Sequence, residues 1–380
     1  GNYEPISRVG PESYIFGPGD GQNANGIVPV NVGNSDLRWE KTEMFDAGLD
    51  FGLWRNRIEL TIDYYNSITS DLLLNVPVPL TTGFEIARQN IGSVQNRGWE
   101  FMLTLRDRYE SFSWAVSGNL SVNKNKVLSL GSQGTEIIKT AGTGHSYFIT
   151  RIGEPIGSYY FLTQDGVFEN QQELDEYPHF ANTQPGDFRF VDIDGNDTID
   201  VDADRSIVGS YFPDFIYGMR AEISYAGFDL AINLQGTEGN EILNLLRRYN
   251  ANMEGNFNNT TEALNRWRSP EEPGNGEVNR ANRKATGNNG RTSTWHLEDG
   301  SYIRIQNIAL GYTLPEKWTK RVLVDRLRFY ISVQNLYTWT DYSGYNPEVD
   351  LYNSDALTPG VDYGVYPLAR TYSLGLNATF

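Results

Sequence analysis

The chain has 380 residues, a formal net charge of −17, 39% hydrophobic residues and no cysteine. This acidic balance argues against nucleic acid as a partner, which requires clustered Lys and Arg, and the lack of cysteine excludes disulfides, thiolate metal sites and cysteine nucleophiles. With a mean hydropathy of −0.48, no run approaches the roughly 18 apolar residues of a transmembrane helix, so a membrane protein with this sequence must be a closed β-barrel.

Three pairs of alternating segments predict β-hairpins. Each pair places apolar residues at every second position and is joined by a tight turn, which is typical of antiparallel strands. The predicted pairs are 45–53 with 58–65, turning at 54–56; 99–106 with 112–122, turning near Glu110 and Ser111; and 215–225 with 228–234, turning at Ala226 and Gly227.

The carboxyl-terminal third predicts three more strands, which makes about nine in all. In 303–314 the apolar parity flips across Gln306 and Asn307, which indicates a β-bulge. A strand at 329–333 follows, and the last fifteen residues, 366–380, alternate up to the terminal aromatic Phe380. This length is enough for a tilted strand to cross a bilayer. We expect Phe380 to serve membrane insertion.

The lengths of the connections favour an outer-membrane barrel over a soluble sandwich. Short connections at 54–57, 109–112, 225–228 and 316–325 alternate with long ones at about 70–96, 128–213, 237–301 and 343–365. Outer-membrane barrels have this asymmetry, with the short turns in the periplasm. We therefore predict an all-β transmembrane antiparallel barrel section over 42–380, with 1–41 and the long loops outside the cell. The face lining the lumen would carry Asp46, Asp50, Glu59, Asp63, Glu100, Arg106, Glu222 and Asp229.

Six segments spread through the chain carry a family signature, at 37–42, 90–100, 153–160, 212–218, 299–315 and 334–342. They resemble the carboxyl-terminal part of the SusC/RagA family of TonB-dependent outer-membrane transporters of Bacteroidetes. The resemblance implies a barrel of twenty-two strands around a plug, of which this chain would be the last nine. The plug, the segment that contacts TonB and the earlier strands are absent from this sequence. The start also lacks a signal peptide, so we expect a mature, partial chain.

The resemblance also implies a function. The protein would import a large nutrient, a glycan or an oligopeptide, with energy from TonB and with a SusD-like surface lipoprotein as a lid. Lipid and lipopolysaccharide of the bacterial outer membrane would surround it, and this chain would supply the wall, the lumen lining and the extracellular loops. Two alternatives stay open: a soluble, calcium-binding, carbohydrate-binding β module, and a passive outer-membrane porin.

An acidic loop is the most chemically suggestive segment. Its alternate oxygen-bearing side chains resemble a calcium loop, because Ca²⁺ takes six to eight oxygen ligands. The candidate ligands are Asp192, Asp194, Asn196, Thr198, Asp200 and Asp204. Asp197 stands where a turn glycine is expected and Asp204 lies one place late. The alternative is a solvated loop of Asx turns without a metal, and the transporter itself requires no cofactor.

Other side chains give weaker signals. Trp295, Trp339 and Tyr342 are candidates for stacking on a nutrient, although aromatic residues near strand ends more often form the interfacial girdle. His145, His179 and His296 are scattered singly without a metal-binding motif and are expected to be ordinary loop residues. No catalytic residue is indicated, so the sequence does not predict an enzyme.

Overall fold

The computed structural model describes residues 6–16, 22–84, 86–131, 134–141, 146–284, 288–349 and 355–380. Within these ranges an antiparallel sheet of nine strands is the main element, and we call it the wall. Its strands are β1 (Lys41–Leu53), β2 (Ile58–Ser70), β3 (Ser93–Tyr109), β4 (Phe112–Ser129), β5 (Phe215–Tyr225), β6 (Phe228–Glu238), β7 (Tyr302–Thr313), β8 (Arg326–Thr340) and β9 (Thr371–Thr379).

The wall is an up-and-down meander. Each strand pairs antiparallel with its neighbours in sequence, from β1 through β9. All consecutive connections of the wall therefore alternate between its two ends. In the described part of the chain, β1 and β9 each have a neighbour on one side only. None of the described helices is long and apolar enough to cross a bilayer.

The two faces of the wall differ in polarity, because successive side chains of a strand point to opposite faces. One paired row crosses all nine strands with apolar or aromatic residues: Leu53, Ile58, Leu105, Val116, Ala221, Ile232, Ile308, Val333 and Tyr372. The row one residue away carries Gly52, Glu59, Thr104, Ser117, Arg220, Asn233, Asn307, Gln334 and Thr371. We call these the outer face and the lumenal face.

A β-bulge keeps the two faces consistent along β7 and β8. The pairing of these strands shifts between Ile305 and Asn307, and Asn335 on β8 has a positive φ of 52°. Against β6, β7 carries one extra residue, Gln306, because Asn233 pairs with Asn307 and Leu234 with Ile305. This extra residue shifts the apolar positions of β7 and keeps them on the outer face. The bulge predicted from the sequence is confirmed.

Three tight turns close one end of the wall, which we call the short-turn end. Trp54, Arg55 and Asn56 all have positive φ between β1 and β2, and Glu110 has a φ of 51° between β3 and β4. Ala226 and Gly227 join β5 to β6 at φ values of 48° and 89°. The fourth connection holds the helix α1 (Glu316–Thr319) and a 3₁₀ turn (Lys320–Val322).

Three long connections at the other end, 130–214, 239–301 and 341–370, pack together, and we call them the loop module. The strands Ile137–Ala141, Ser146–Thr150, Ser158–Leu162 and Arg205–Gly209 form one sheet, and Gln164–Val167 pairs with Phe188–Phe190. A second sheet joins two of the connections: Glu241–Asn244 pairs with Leu297–Asp299 of the same connection and with Val361–Asp362 of the last. The helices are Gln171–Glu176 and Arg247–Asn250, with 3₁₀ turns Thr261–Asn265 and Thr294–His296.

The core of the loop module draws on all three connections. Phe148, Tyr159 and Phe161 from the first pack with Leu243 from the second and Val361 from the third, and all are fully buried. Apart from this module, Val9–Phe16 pairs with Gln22–Pro29, and Leu73–Pro77 pairs with Ile86–Asn90 around a 3₁₀ turn (Leu80–Thr82).

One prediction from local pattern was wrong. The last strand begins at Thr371 and not at 366, because Pro367 has no N–H for the ladder and restricts the residue before it. The wall strands also extend further than predicted, so the long connections run over 71–92, 130–214, 239–301 and 341–370.

The two faces can be tested at adjacent residues of β6. Ile232→Lys places a charge on the outer face near the middle of the strand and is expected to destabilise the folded protein in lipid by about 2–4 kcal/mol. Asn233→Lys, the matched control on the lumenal face, should have a much smaller effect. The readout is the midpoint of denaturant unfolding of the whole protein in bilayers. Unfolding is monitored by the heat-modifiable migration of the protein on a gel. Equal losses for both variants would contradict the assignment of the faces.

Candidate functional site

The lumenal face gathers the charged residues that the sequence assigned to it. The pairing register places Asp46, Asp50, Glu59, Asp63, Glu100, Arg106, Glu222 and Asp229 on this face. Several of them are already paired: Arg106 with Glu59, Arg220 with Glu222, and Arg328 with Asp229, whose Oδ1 accepts from Arg328 Nε at 2.9 Å. The face therefore presents a polar surface with partly neutralised charge, suited to contact with water and hydrophilic solutes.

Where the lumenal face meets the loop module, an open cavity has a volume of about 480 Å³. We call it the mouth cavity. Its floor is the paired set Ile216, Thr237 and Tyr302 from β5, β6 and β7. Tyr211 and Glu348 enter from two long connections. Ring and aliphatic surface next to a few fixed polar groups is the usual composition of a ligand pocket.

Glu348 is held over the wall by three donors. Tyr302 Oη donates to Oε1 at 2.7 Å and Gln235 Nε2 at 2.9 Å, and the Arg304 guanidinium forms an ion pair with Oε2. Arg304 is itself buried and donates to Thr338 Oγ1 at 2.8 Å and to Asn346 Oδ1 at 2.9 Å. The Glu348 side chain keeps 39% exposure, so one side of a rigid carboxylate stays accessible in the mouth cavity.

A second cavity of about 370 Å³ adjoins the mouth cavity through Pro213. Asn123 and Asn125 of β4 line it with Asp214 and Glu241. Burial raises the pKa of the Glu241 carboxyl, the Ser210 N–H that donates to Oε2 at 2.7 Å opposes this, and the charge of Asp299 adds to it. The two cavities together give the loop-module end of the lumenal face several convergent amide and carboxyl groups.

The acidic loop brings three of its six predicted ligands together. Asp192, Asp194 and Asp204 each place one carboxylate oxygen within 4.8 Å of the others. Asn196 instead accepts from the Thr198 N–H at 2.8 Å, and Asp200 Oδ1 accepts from the N–H groups of Asp202 and Ala203 at 2.7 and 3.1 Å. Three carboxylates supply fewer ligands than Ca²⁺ takes, so waters or carbonyls would complete the shell. Calcium at this loop stays a prediction.

The loop is already folded by its own hydrogen bonds. Asp204 is fully buried, and its Oδ1 accepts from the Ile193 N–H at 2.8 Å while Oδ2 accepts from the Asp200 N–H at 2.7 Å. Asp192 accepts from the N–H groups of Gly195 and Asp197, both at 2.8 Å. The hydrogen bonds to Asp200 from Asp202 and Ala203 hold the pKa of that carboxyl below its ordinary value. These Asx turns are the structure that the metal-free alternative requires.

None of the three aromatic candidates for ligand contact faces the lumen. Trp295 is 6% exposed and packs on Phe188, with ring centroids 5.2 Å apart. Tyr342 is 5% exposed, and its hydroxyl donates to Asp362 Oδ2 at 2.5 Å. Trp339 lies on the outer face, paired with Ile303 and edge-on to Tyr337. These positions favour core packing and the interfacial girdle. Sequence reasoning missed the Arg304 and Glu348 pair, which carries no local motif.

The histidines differ in environment. His296 is fully buried beside Trp295, and its Nδ1 accepts from the Ser293 N–H at 3.3 Å. Burial, with the charges of Arg247 and Arg248, lowers the pKa of His296 to about 3. His179 is exposed, with Nδ1 2.8 Å from the Tyr177 carbonyl oxygen. His145 lies outside the described residues. No metal site in the described ranges includes a histidine.

Comparisons with known proteins agree with this architecture. The family model described as "TonB dependent receptor-like, beta-barrel" matches residues 12–336. Among curated relatives, TonB-dependent receptor P3 of Formosa agariphila is 35% identical over 100% of this chain and 38% of its own length. TonB-dependent receptor SusC of Bacteroides thetaiotaomicron is 30% identical over 91% of this chain and 32% of its own.

Solved structures give the same result. The RagAB peptide transporter matches with a TM-score of 0.79 and 25% identity, over 100% of this chain and 39% of that chain. The RagAB peptide importer in the "closed-closed" state gives the same values. The chain thus spans less than two fifths of the length of these relatives.

Asp204→Asn tests the architecture of the acidic loop. It removes the acceptor for one backbone N–H, and a buried unpaired donor costs about 1–3 kcal/mol. We expect faster hydrogen exchange over 192–204 in the whole protein. Asp197→Asn is the matched control, since this exposed residue has a φ of 60° that Asn tolerates. Unchanged hydrogen exchange in Asp204→Asn would contradict the role of Asp204 in holding the acidic loop.

The same experiment decides the calcium question. A calcium-dependent gain in protection that Asp194→Asn abolishes would establish bound calcium, and no calcium dependence would assign the loop to the solvated Asx-turn alternative.

His296 predicts a pH dependence of the loop module. In the folded state it stays neutral down to about pH 3, whereas its pKa in the unfolded chain is near 6.5. The unfolded state therefore binds the proton first, and the module loses stability as the pH falls below 6.5, by about 2 kcal/mol at pH 5. Hydrogen exchange of the module between pH 7 and 5, corrected for the intrinsic rate, measures this. His296→Asn, which keeps an acceptor for the Ser293 N–H, should make the stability of the loop module less dependent on pH. An identical pH dependence in both proteins would refute the role of His296.

Proposed function

This chain belongs to the TonB-dependent receptor β-barrel family of bacterial outer-membrane proteins, and from that premise we propose that the whole protein imports a large nutrient by TonB-dependent active transport. The nutrient is a glycan or an oligopeptide. This chain supplies the wall, the lumen lining and the extracellular loops. The family consists of receptors and transporters, and we propose no catalytic role for the chain.

The observation that carries the proposal is the polarity of the wall. An apolar row and a polar row, one residue apart, each cross all nine strands. The outer face leaves large apolar side chains uncovered, with Leu374 at 85% and Leu49 at 62% exposure. Lipid hydrocarbon can contact such an apolar surface favourably, whereas a soluble module would have to bury it. This favours the transporter over the soluble alternative.

The remaining partners follow from the open edges and from the relatives. Strands outside this chain would pair with β1 and β9 to close the barrel, and a plug would fill it. We propose a SusD-like lipoprotein over the loop module, because the resemblance to the SusC/RagA family implies such a lid. The buried core of the loop module gives such a lid a firm surface to rest on. TonB would act on the plug and open the lumen.

The mouth cavity is the proposed point of first contact with the nutrient inside the barrel. Tyr211 offers ring surface, and Thr237 and Glu348 offer hydrogen-bonding groups. This combination suits both a sugar ring and a peptide side chain. It lies on the lumenal side, between the wall and the loops, on the path that a nutrient would take.

Energy-dependent uptake tests the proposal. Cells carrying the whole protein are given labelled glycan and oligopeptide mixtures, with and without TonB. We expect uptake of one class, lost without TonB, and reduced at least roughly tenfold by Ile216→Trp, which fills the mouth cavity. Met219→Trp is the matched control on the outer face of the same strand. Uptake that persists without TonB would favour a passive porin, and a protein recovered outside the membrane would favour the soluble module.

A further inference from the structure

Among the residues that the structure describes, the outer face carries an aromatic belt near each end of the wall. Toward the loop module, Tyr64 of β2 pairs with Trp99 of β3, and their ring centroids lie 4.9 Å apart. At the short-turn end, one paired row crosses six strands with Tyr109, Phe112, Tyr225, Phe228, Tyr312 and Phe329. Aromatic residues collect where the hydrocarbon of a bilayer meets its headgroups. The two belts therefore mark the borders of the lipid-facing band.

The spacing of the two belts fits a bilayer. Trp99 and Tyr109 both lie on β3, about ten residues apart, which corresponds to about 33 Å along an extended strand. With the usual barrel tilt of about 35–45°, this length gives roughly 25 Å along the membrane normal, which is the height of the apolar band of outer-membrane barrels. An outer-face residue beyond Trp99 toward the loop module therefore stands at the level of the headgroups.

Positive side chains occupy this level on neighbouring strands. Arg97 of β3 and Lys124 of β4 are direct pairing partners on the outer face, one outer-face row beyond Trp99. Lys126 follows one row further on. We call these three cations the cationic patch. All three are exposed, and within the described ranges none of them forms an ion pair or donates a side-chain hydrogen bond. The patch therefore keeps its positive charge, although the chain has a net charge of −17.

The loop module leaves the cationic patch uncovered. On the lumenal side of the same strand ends, Val94 and Val127 are buried in one cluster with Ile156 of the first long connection and Leu357 of the third. The loops thus fold over the lumenal side of β3 and β4, and the outer side stays open. What adjoins the patch is the surface of the bilayer.

We propose that the cationic patch binds the phosphate of an anionic lipid, an inference that rests on the function proposed above, in which the loop module lies outside the cell. In that leaflet the lipid is lipopolysaccharide, whose anchor, lipid A, carries phosphate. The guanidinium of Arg97 can hold a phosphate through two parallel hydrogen bonds, and Lys124 adds a point charge beside it. Like charges directly opposite each other on a sheet are destabilising, so a phosphate between Arg97 and Lys124 removes that repulsion.

The outer face next to the patch favours a lipid over a soluble anion. Trp99 and the cross-strand pair of Phe101 with Leu120 follow directly toward the middle of the bilayer, and all three are exposed. A phosphorylated headgroup with attached acyl chains fits both parts of this surface, because the phosphate meets the cations while the chains cover the apolar side chains. A soluble anion would use the cationic patch alone.

Binding of lipid A to the whole protein in detergent micelles, read out by native mass spectrometry, tests the site. The variant is Arg97→Gln/Lys124→Gln. The matched control is Arg268→Gln/Lys284→Gln, which removes one Arg and one Lys from exposed positions of the loop module. Both are first checked for heat-modifiable migration, which reports a folded barrel. We expect roughly tenfold weaker binding to the first variant, since each basic residue at a membrane surface adds to the attraction of an anionic lipid. The control should match the wild type.

Dephosphorylated lipid A separates the effect of the headgroup from that of the acyl chains. It should bind the wild type roughly tenfold more weakly than lipid A does, and it should not distinguish the wild type from the double Gln variant. The pair Arg97→Lys/Lys124→Arg keeps both charges and should retain most of the binding. Equal affinity of the wild type for both forms of lipid A would overturn the site, even if the double Gln variant did not fold. Displacement of lipid A by inorganic phosphate would also overturn it and would assign the patch to a soluble anion.

Failure of the proposed function gives a different result. A whole protein that stays soluble without detergent would refute the transporter and the lipid site together. A detergent-requiring protein that binds both forms of lipid A equally would overturn the lipid site alone.

Discussion

The constraint on which the structure depends is that every backbone N–H and C=O within a bilayer needs a partner, since lipid offers none. The meander of β1 to β9 satisfies this within the wall and, among the residues that the structure describes, leaves one open edge on β1 and another on β9. Open edges cannot remain in hydrocarbon. The wall therefore requires further strands, and the relatives, more than twice as long as this chain, have room for them.

The wall and the loop module have different roles and are stabilised in different ways. The wall has no core of its own, because its two faces serve lipid and lumen, and the continuous ladder holds it together. The loop module has a buried core built from three connections, with Tyr159 and Leu243 at its centre. Rigid loops shape the mouth cavity at one end of the lumenal face, and tight turns close the other end.

Features of the wall could be predicted because they are local. A period of two marks the strands, and the parity flip at Gln306 predicts the bulge. The predictions failed where contacts between residues distant in the sequence determine the local structure. Trp295 resembles a ligand platform in the sequence, yet Phe188, more than 100 residues earlier, buries it. The pair of Arg304 with Glu348 likewise joins a wall strand to a long connection, and no local pattern marks it.

Site-directed spin labelling along β6 tests the central claim, that this wall separates lipid from an aqueous lumen. The chain contains no cysteine, so single labels can be placed at successive positions from 229 to 235 in the whole protein in bilayers. The account predicts that accessibility to oxygen peaks at 230, 232 and 234, and that accessibility to a water-soluble nickel chelate peaks at the positions between them. Uniform access to the chelate, or the opposite phase, would contradict it.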